Sequence, residues 1–189
     1  MKFTPRDITL TAMFAALTAI VAVLGRFGVT AIVPFSLQPL VALLAGGILG
    51  ARLGAVSMLV YVLMGLIGLP VFEKVPFGGP AYVLQPTFGF LIGLIAAAYL
   101  TGKFLEGKQD KGFWHYYGAM LIGLAVIYLL GLPYLYAVLN IYLGQIMSVW
   151  RVLEIGFIPF IAFDLIKAII SAVIAKLVYK RINPVMEKR

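Results

Sequence analysis

Cysteine is absent from this chain of 189 residues. That excludes disulfides, thiol nucleophiles and cysteine metal sites, though it names no compartment. Acids are scarce: the seven Asp and Glu never cluster as paired carboxylates, and no metal site is expected. The single histidine, His115, stands beside Trp114 at a loop–helix junction and reads as an interfacial residue rather than a base or ligand. There is no G-x-x-x-x-G-K-S/T and no G-x-G-x-x-G in a βαβ setting, so the chain has no phosphate cradle of its own. There is no G-x-S-x-G for a serine hydrolase. Matching halves of the inverted-repeat kind found in many secondary transporters are not visible.

Charge is also sparse, at 12% of residues, while 63% are hydrophobic and the mean hydropathy is +1.06. No soluble domain of this length has that balance, so one polytopic membrane domain is expected, residues 1–189, with an all-α fold. The net charge of +8 would suggest nucleic acid in a soluble protein. Here the cations fall in short loops and at the chain ends, where they act as orientation signals and membrane lipid contacts, and no nucleic acid partner is expected. The N-terminus resembles a signal peptide, with two early cations before an apolar run. That run, Ile8–Gly25, is longer than a usual signal core and no clear cleavage site follows, so it is taken as a retained first helix.

Six transmembrane helices are expected, at about Asp7–Leu24, Leu37–Gly50, Leu53–Leu69, Pro86–Leu105, Trp114–Leu143 and Phe157–Tyr179. Asp7 suits the first turn of helix 1, Pro86 the first position of helix 4, and Pro133 predicts a kink in helix 5. Loops are expected at Gly25–Pro34, Gly107–Gly112 and Gly144–Gly156, and Lys180–Arg189 is a basic tail. Gly46, Gly50 and Gly54 follow at four-residue steps and predict close helix packing. Gly68–Ala81 is apolar yet holds three prolines and three glycines, so it is no regular helix and should fold back over protein or a ligand.

Six helices place both chain ends on one side of the membrane. Eleven of the 15 Lys and Arg then lie on that side and three, Arg26, Lys74 and Arg151, on the other; Lys167 is within the membrane. The positive-inside rule therefore predicts a multi-pass plasma-membrane protein with both termini cytoplasmic.

The last helix holds the chemistry. Asp164 and Lys167 lie inside its apolar length, each at a cost of roughly 2.5–3.5 kcal/mol near the bilayer centre. At a spacing of three they share a helix face and soften each other's cost. They form either a private packing ion pair or an acceptor and donor offered to a polar ligand, and intramembrane charges favour the second. Asp164 falls seven residues into the helix, about 10 Å from its outer end. The outer half of helix 5 adds a tyrosine and asparagine cluster, and the Gly68–Ala81 loop lies on the same side. The surplus of polar and aromatic residues thus converges on a small outer site closed by an apolar loop. On helix 1, Ala12, Ala16 and Ala15, Ala19 form two overlapping A-x-x-x-A steps, a surface that lets another helix approach closely.

Four stretches carry a resemblance: Pro34–Phe72, Gly78–Leu100, Tyr128–Asn140 and Ile155–Ile170. With GLPVF, PTFGF and PF-x-x-x-D-x-x-K together, the chain resembles the BioY family, the biotin-specific S components of energy-coupling-factor (ECF) vitamin transporters. The resemblance covers Thr9 to about Lys176. It implies capture of biotin near the outer face, alongside an ECF transmembrane coupling protein and two cytoplasmic ATPases. No catalysis of its own and no cofactor are implied, biotin being the substrate. Asp164 and Lys167 match the polar pair that in the family holds the ureido ring and the carboxylate, with no assignment of which group holds which. Gln85, Thr87, Tyr82 and Asn140 are further candidates, and Phe72, Tyr136, Gly78 and Gly79 could wall the thiophane ring. The alanine face of helix 1 is similar to the surface by which such subunits dock on the coupling protein. The departure from the family is Glu73–Phe77, more charged and bulky than its usual loop. Three other readings stay open: an S component or transporter for a different small vitamin, a membrane enzyme acting on lipids, and a structural assembly subunit. The second lacks an acid–base or nucleophile constellation, and the buried pair argues against the third.

Overall fold

The computed structural model describes residues 3–27, 36–107 and 112–186, with side chains as far as Tyr179. Most of the expected Gly25–Pro34 and Gly107–Gly112 loops, Lys2, Lys108, Lys111 and the side chains of the basic tail lie outside the described residues. The helices are α1 Pro5–Arg26, α2 Gln38–Leu49, α3 Ala51–Leu66, α4 Phe88–Leu105, α5 Phe113–Ala137, α6 Val149–Gly156 and α7 Ile158–Met186. The all-helical membrane fold is as expected, and six of the seven helices correspond to the six expected spans.

The boundaries differ where local hydrogen bonding decides them. α1 starts two residues early because Thr4 and Asp7 form a capping box. The Asp7 N–H donates to Thr4 Oγ1 at 3.2 Å, and the Thr4 N–H donates to Asp7 Oδ2 at 3.0 Å. α4 starts at Phe88, so Pro86 precedes the helix rather than opening it. A 3₁₀ turn at Pro80–Leu84 leaves Gln85 extended, the conformation favoured before proline. α5 runs through Pro133 and passes into a π turn at Val138–Tyr142. The expected loop at Gly144–Gly156 instead contains α6, opened by Ser148, whose Oγ accepts the Arg151 N–H at 3.2 Å.

Four segments have the length and apolarity to cross a membrane: Pro5–Arg26, Phe88–Leu105, Phe113–Tyr142 and Ile158–Tyr179. α2 and α3 are apolar but shorter, at 12 and 16 residues. A single residue, Gly50, separates them, with φ at +82°, a conformation in which a Cβ would clash with the backbone. α2 packs against α1, α3, α4, α5 and α7, and Val41, Ala42, Leu43, Leu44 and Ala45 are all buried. A helix apolar all round belongs at the centre of a bundle.

In a bilayer, helices associate by close packing rather than by leaving water, so small residues mark the interfaces. Gly46 lies against the backbone of Ala98, Gly102 against Gly50 and Ala51, and Gly93 against Ile127. A Cβ on Gly54 would come within 2.9 Å of the Ala45 backbone. Ala168, Ala172 and Ala175 bring α7 against α5 and α2 in the same way. The helix 1 steps divide: Ala12 and Ala16 are exposed, whereas Ala15 and Ala19 are buried in the chain's own core. Of the four alanines expected to form a docking surface, only Ala12 and Ala16 are therefore exposed, because packing of α1 within the bundle already buries the other two.

Candidate functional site

At one end of the bundle the termini of six helices meet: the ends of α1, α3 and α5 and the starts of α2, α4 and α7. Asp164 and Lys167 sit on α7 just below that end. They are 5% and 6% exposed, and the Lys167 Nζ donates to Asp164 Oδ1 at 2.7 Å. Asp164 Oδ2 accepts from the Tyr128 hydroxyl on α5. Nζ also donates to the Ser36 carbonyl at 2.8 Å, ahead of α2. Three elements thus converge on one ion pair, as burying two charges requires. An ammonium has three N–H bonds and two are used by the described residues, so among these one donor of Lys167 remains for a ligand. Each Asp164 oxygen likewise keeps a free lone pair.

The pair floors a cavity of about 310 Å³. That is at the small end for ligand pockets. Its polar lining comprises Ser36, Gln38, Glu73, Lys74, Tyr82, Thr87 and Tyr128 beside the pair, and its apolar lining includes Phe90, Leu91, Leu94, Ile127, Leu135 and Phe160.

The roof is the Gly68–Ala81 stretch, which folds back over the bundle as its composition predicts. Phe72 is fully buried, its ring filling the space a side chain on Gly65 would need. It lies 5.7 Å edge-on from Tyr61 and 4.1 Å from Tyr82, an aromatic anchor for the roof. The Phe72 N–H donates to the Phe77 carbonyl at 2.8 Å, closing residues 72–77 into a tight loop. Arg26, at the end of α1, clamps it. The Arg26 Nε donates to the Phe72 carbonyl at 2.8 Å, Nη2 donates to the Pro70 carbonyl, and the guanidinium lies 4.2 Å over the Phe77 ring. Gln38 on α2 ties the roof to the floor: its Nε2 donates to Glu73 Oε2 at 3.1 Å, and its Oε1 accepts from the Tyr61 hydroxyl at 3.4 Å. Burial pushes the Tyr82 hydroxyl above its ordinary value, so it stays a neutral donor in the cavity wall.

Of the residues singled out from the sequence, the cavity brings together Asp164, Lys167, Tyr82 and Thr87. The other six lie outside its lining. Phe72 is the roof's anchor, and the Gln85 Nε2 donates to the Val75 carbonyl at 2.9 Å, bracing the roof. Gly78 packs on the Leu69 carbonyl, and Gly79 has φ at +94° where the chain enters the 3₁₀ turn. Asn140 joins the π turn to the following loop through Met147, whose N–H donates to its Oδ1 at 2.8 Å. Tyr136 is 39% exposed on the outside of α5. Sequence reasoning missed Tyr128, Gln38, Glu73 and Lys74 as site residues. The signal for Glu73 and Lys74 was present: they are the two charged residues in an otherwise apolar loop.

The arrangement can bind and orient a small amphipathic molecule. Its polar groups are donors and acceptors, several of them held by one another, and no nucleophile is paired with a base among the described residues. An all-helical membrane bundle with one such cavity at its end is a ligand-binding membrane subunit in form. A crystal structure described as the S-component for biotin from an ECF-type ABC transporter has the same fold, with a TM-score of 0.76 over 95% of both chains at 24% identity. The BioY family pattern matches residues 1–184, and the chain belongs to that family. Its relatives include a probable biotin transporter BioY of Lysinibacillus sphaericus, 43% identical over 92% of this chain and 87% of the relative. A biotin transporter BioY of Thermotoga maritima is 38% identical over 76% of this chain and 79% of that one.

Proposed function

We propose that this chain is the biotin-capturing membrane subunit of a vitamin uptake system, a transport component rather than an enzyme. The observation that carries the reading is the Asp164–Lys167 pair, cross-held by Tyr128 and Ser36 at the floor of a small cavity, in a chain whose family relatives are named biotin transporters. Biotin's ureido ring is neutral, with N–H donors and a carbonyl acceptor. The free lone pairs of Asp164 and the third N–H of Lys167 complement it. Tyr82 and Thr87 extend the polar wall, and the apolar lining suits the thiophane ring and the aliphatic chain.

The cavity is at the end of the bundle opposite Arg52, Lys103 and Lys176 and the N-terminus. With the cation-rich end in the cytoplasm, the cavity opens outward and both termini are inside. Lacking a nucleotide cradle, the chain would capture biotin alone and depend on an ECF coupling protein and two ATPases for accumulation. The exposed Ala12 and Ala16 give α1 a flat contact for that coupling protein.

The test is biotin titration by calorimetry on the detergent-purified chain, with native mass spectrometry of any ligand retained through purification. Saturable binding at one site, absent in an Asp164→Asn, Lys167→Met double variant that still folds, supports the reading. A well-folded wild-type chain that binds no biotin refutes it.

A further inference from the structure

The polar groups of the cavity stand in two places. The inner set is the buried Asp164–Lys167 pair. The outer set is Glu73 and Lys74 on the roof, where Lys74 is exposed and Glu73 half-buried. We infer that Lys74 receives the carboxylate of the bound ligand, so that the ligand lies with its neutral polar ring on the inner pair and its acid at the mouth. This inference rests on the biotin reading above.

Charge decides the direction. At the inner set the ammonium is already neutralised by a carboxylate at 2.7 Å. A second carboxylate there would face Asp164 while losing its hydration, a cost that only a net positive site would offset. A ureido ring brings no charge and meets both partners. The next acid outward is Glu73, turned onto Gln38 with its Oε1 unpartnered among the described residues. It repels an anion from the middle of the cavity while accepting an N–H readily. Lys74 lines the cavity beyond it, and its ammonium forms no ion pair among the described residues.

The backbone beneath Lys74 is fixed. Its N–H donates to the Tyr82 hydroxyl at 3.4 Å, and its carbonyl accepts the Phe77 N–H at 2.7 Å. Phe72 and Arg26 hold the same loop on its other side. The cation is therefore presented from a preorganised turn rather than a loose tip, which lowers the ordering cost of binding. A partly solvated charge pair of this kind adds moderate affinity and much of the orientation.

Biotin and its neutral carboxamide, titrated in parallel, separate the two ends of the ligand. Lys74→Met leaves the backbone bonds intact, and its melting temperature in detergent checks folding. The variant should lose roughly two- to fivefold in affinity for biotin and less than about 1.5-fold for the carboxamide. Lys74→Arg should keep the preference for the acid, and added salt should shrink it in the wild type. If Lys74→Met binds both ligands as the wild type does, or weakens both alike, the inference fails while the biotin reading stands. If the wild type binds neither ligand, both fall together.

Discussion

Asp164→Asn is the sharpest test of the floor of the site, because the change keeps the volume and turns a charged acceptor into a neutral amide. Asp164 Oδ1 holds Lys167 at 2.7 Å and Oδ2 holds the Tyr128 hydroxyl. An asparagine has one acceptor and one donor end. Its oxygen must face Lys167, since an NH₂ group there would meet an ammonium donor to donor. Its NH₂ then faces Tyr128, whose hydroxyl has to turn and accept. The ligand loses a charged acceptor, a hydrogen bond contributing about 1.5–3 kcal/mol, so biotin affinity should fall roughly ten- to a hundredfold. Lys167, 6% exposed, also loses its counter-charge. Unpairing a buried charge costs about 3–5 kcal/mol, softened here because the Ser36 carbonyl still accepts from Nζ. The melting temperature should drop, and two measurements are needed: thermal unfolding in detergent and calorimetric titration on the folded fraction. Lower stability with undiminished affinity would mean that the pair serves packing alone, and the proposed binding floor would be refuted.

Other expectations follow from single contacts. Ala16→Trp should reduce co-purification with a coupling protein while leaving biotin binding unchanged. Ala19→Trp, at a position 8% exposed, should instead destabilise the chain itself; equal behaviour of the two would overturn the division of the alanine steps. Gly65→Ala puts a methyl into the Phe72 ring and should cost about 1–3 kcal/mol of stability and loosen the roof, seen as a lower melting temperature and faster biotin release. Reporter fusions at the C-terminus, one active only inside and one only outside, should agree on the cytoplasm; an outside signal would contradict the even number of crossings.

The sequence alone determined the membrane class, six of the apolar helices, the intramembrane pair and the family. Each of these is local: apolar run length, i,i+3 spacing and contiguous motifs survive in one dimension. α6 was hidden because eight residues, barely two turns, are too short to stand out as a helix inside a Gly-bounded stretch. The lining of the cavity was only partly legible. Asp164 and Lys167 stood out because charge in an apolar helix is costly wherever the helix packs. Gln38, Glu73 and Tyr128 did not, because their role depends on which elements meet at one end of the bundle. Folding back the 68–81 stretch turned Phe72 into an anchor, swung Glu73 onto Gln38 and brought Lys74 into the cavity lining. The same logic divided α1: four alanines look alike in sequence, but packing within the bundle buries Ala15 and Ala19 and leaves Ala12 and Ala16 outside. A helix repeats every 3.6 residues, so spacing fixes which residues share a face, and only the neighbouring helices decide which way that face points.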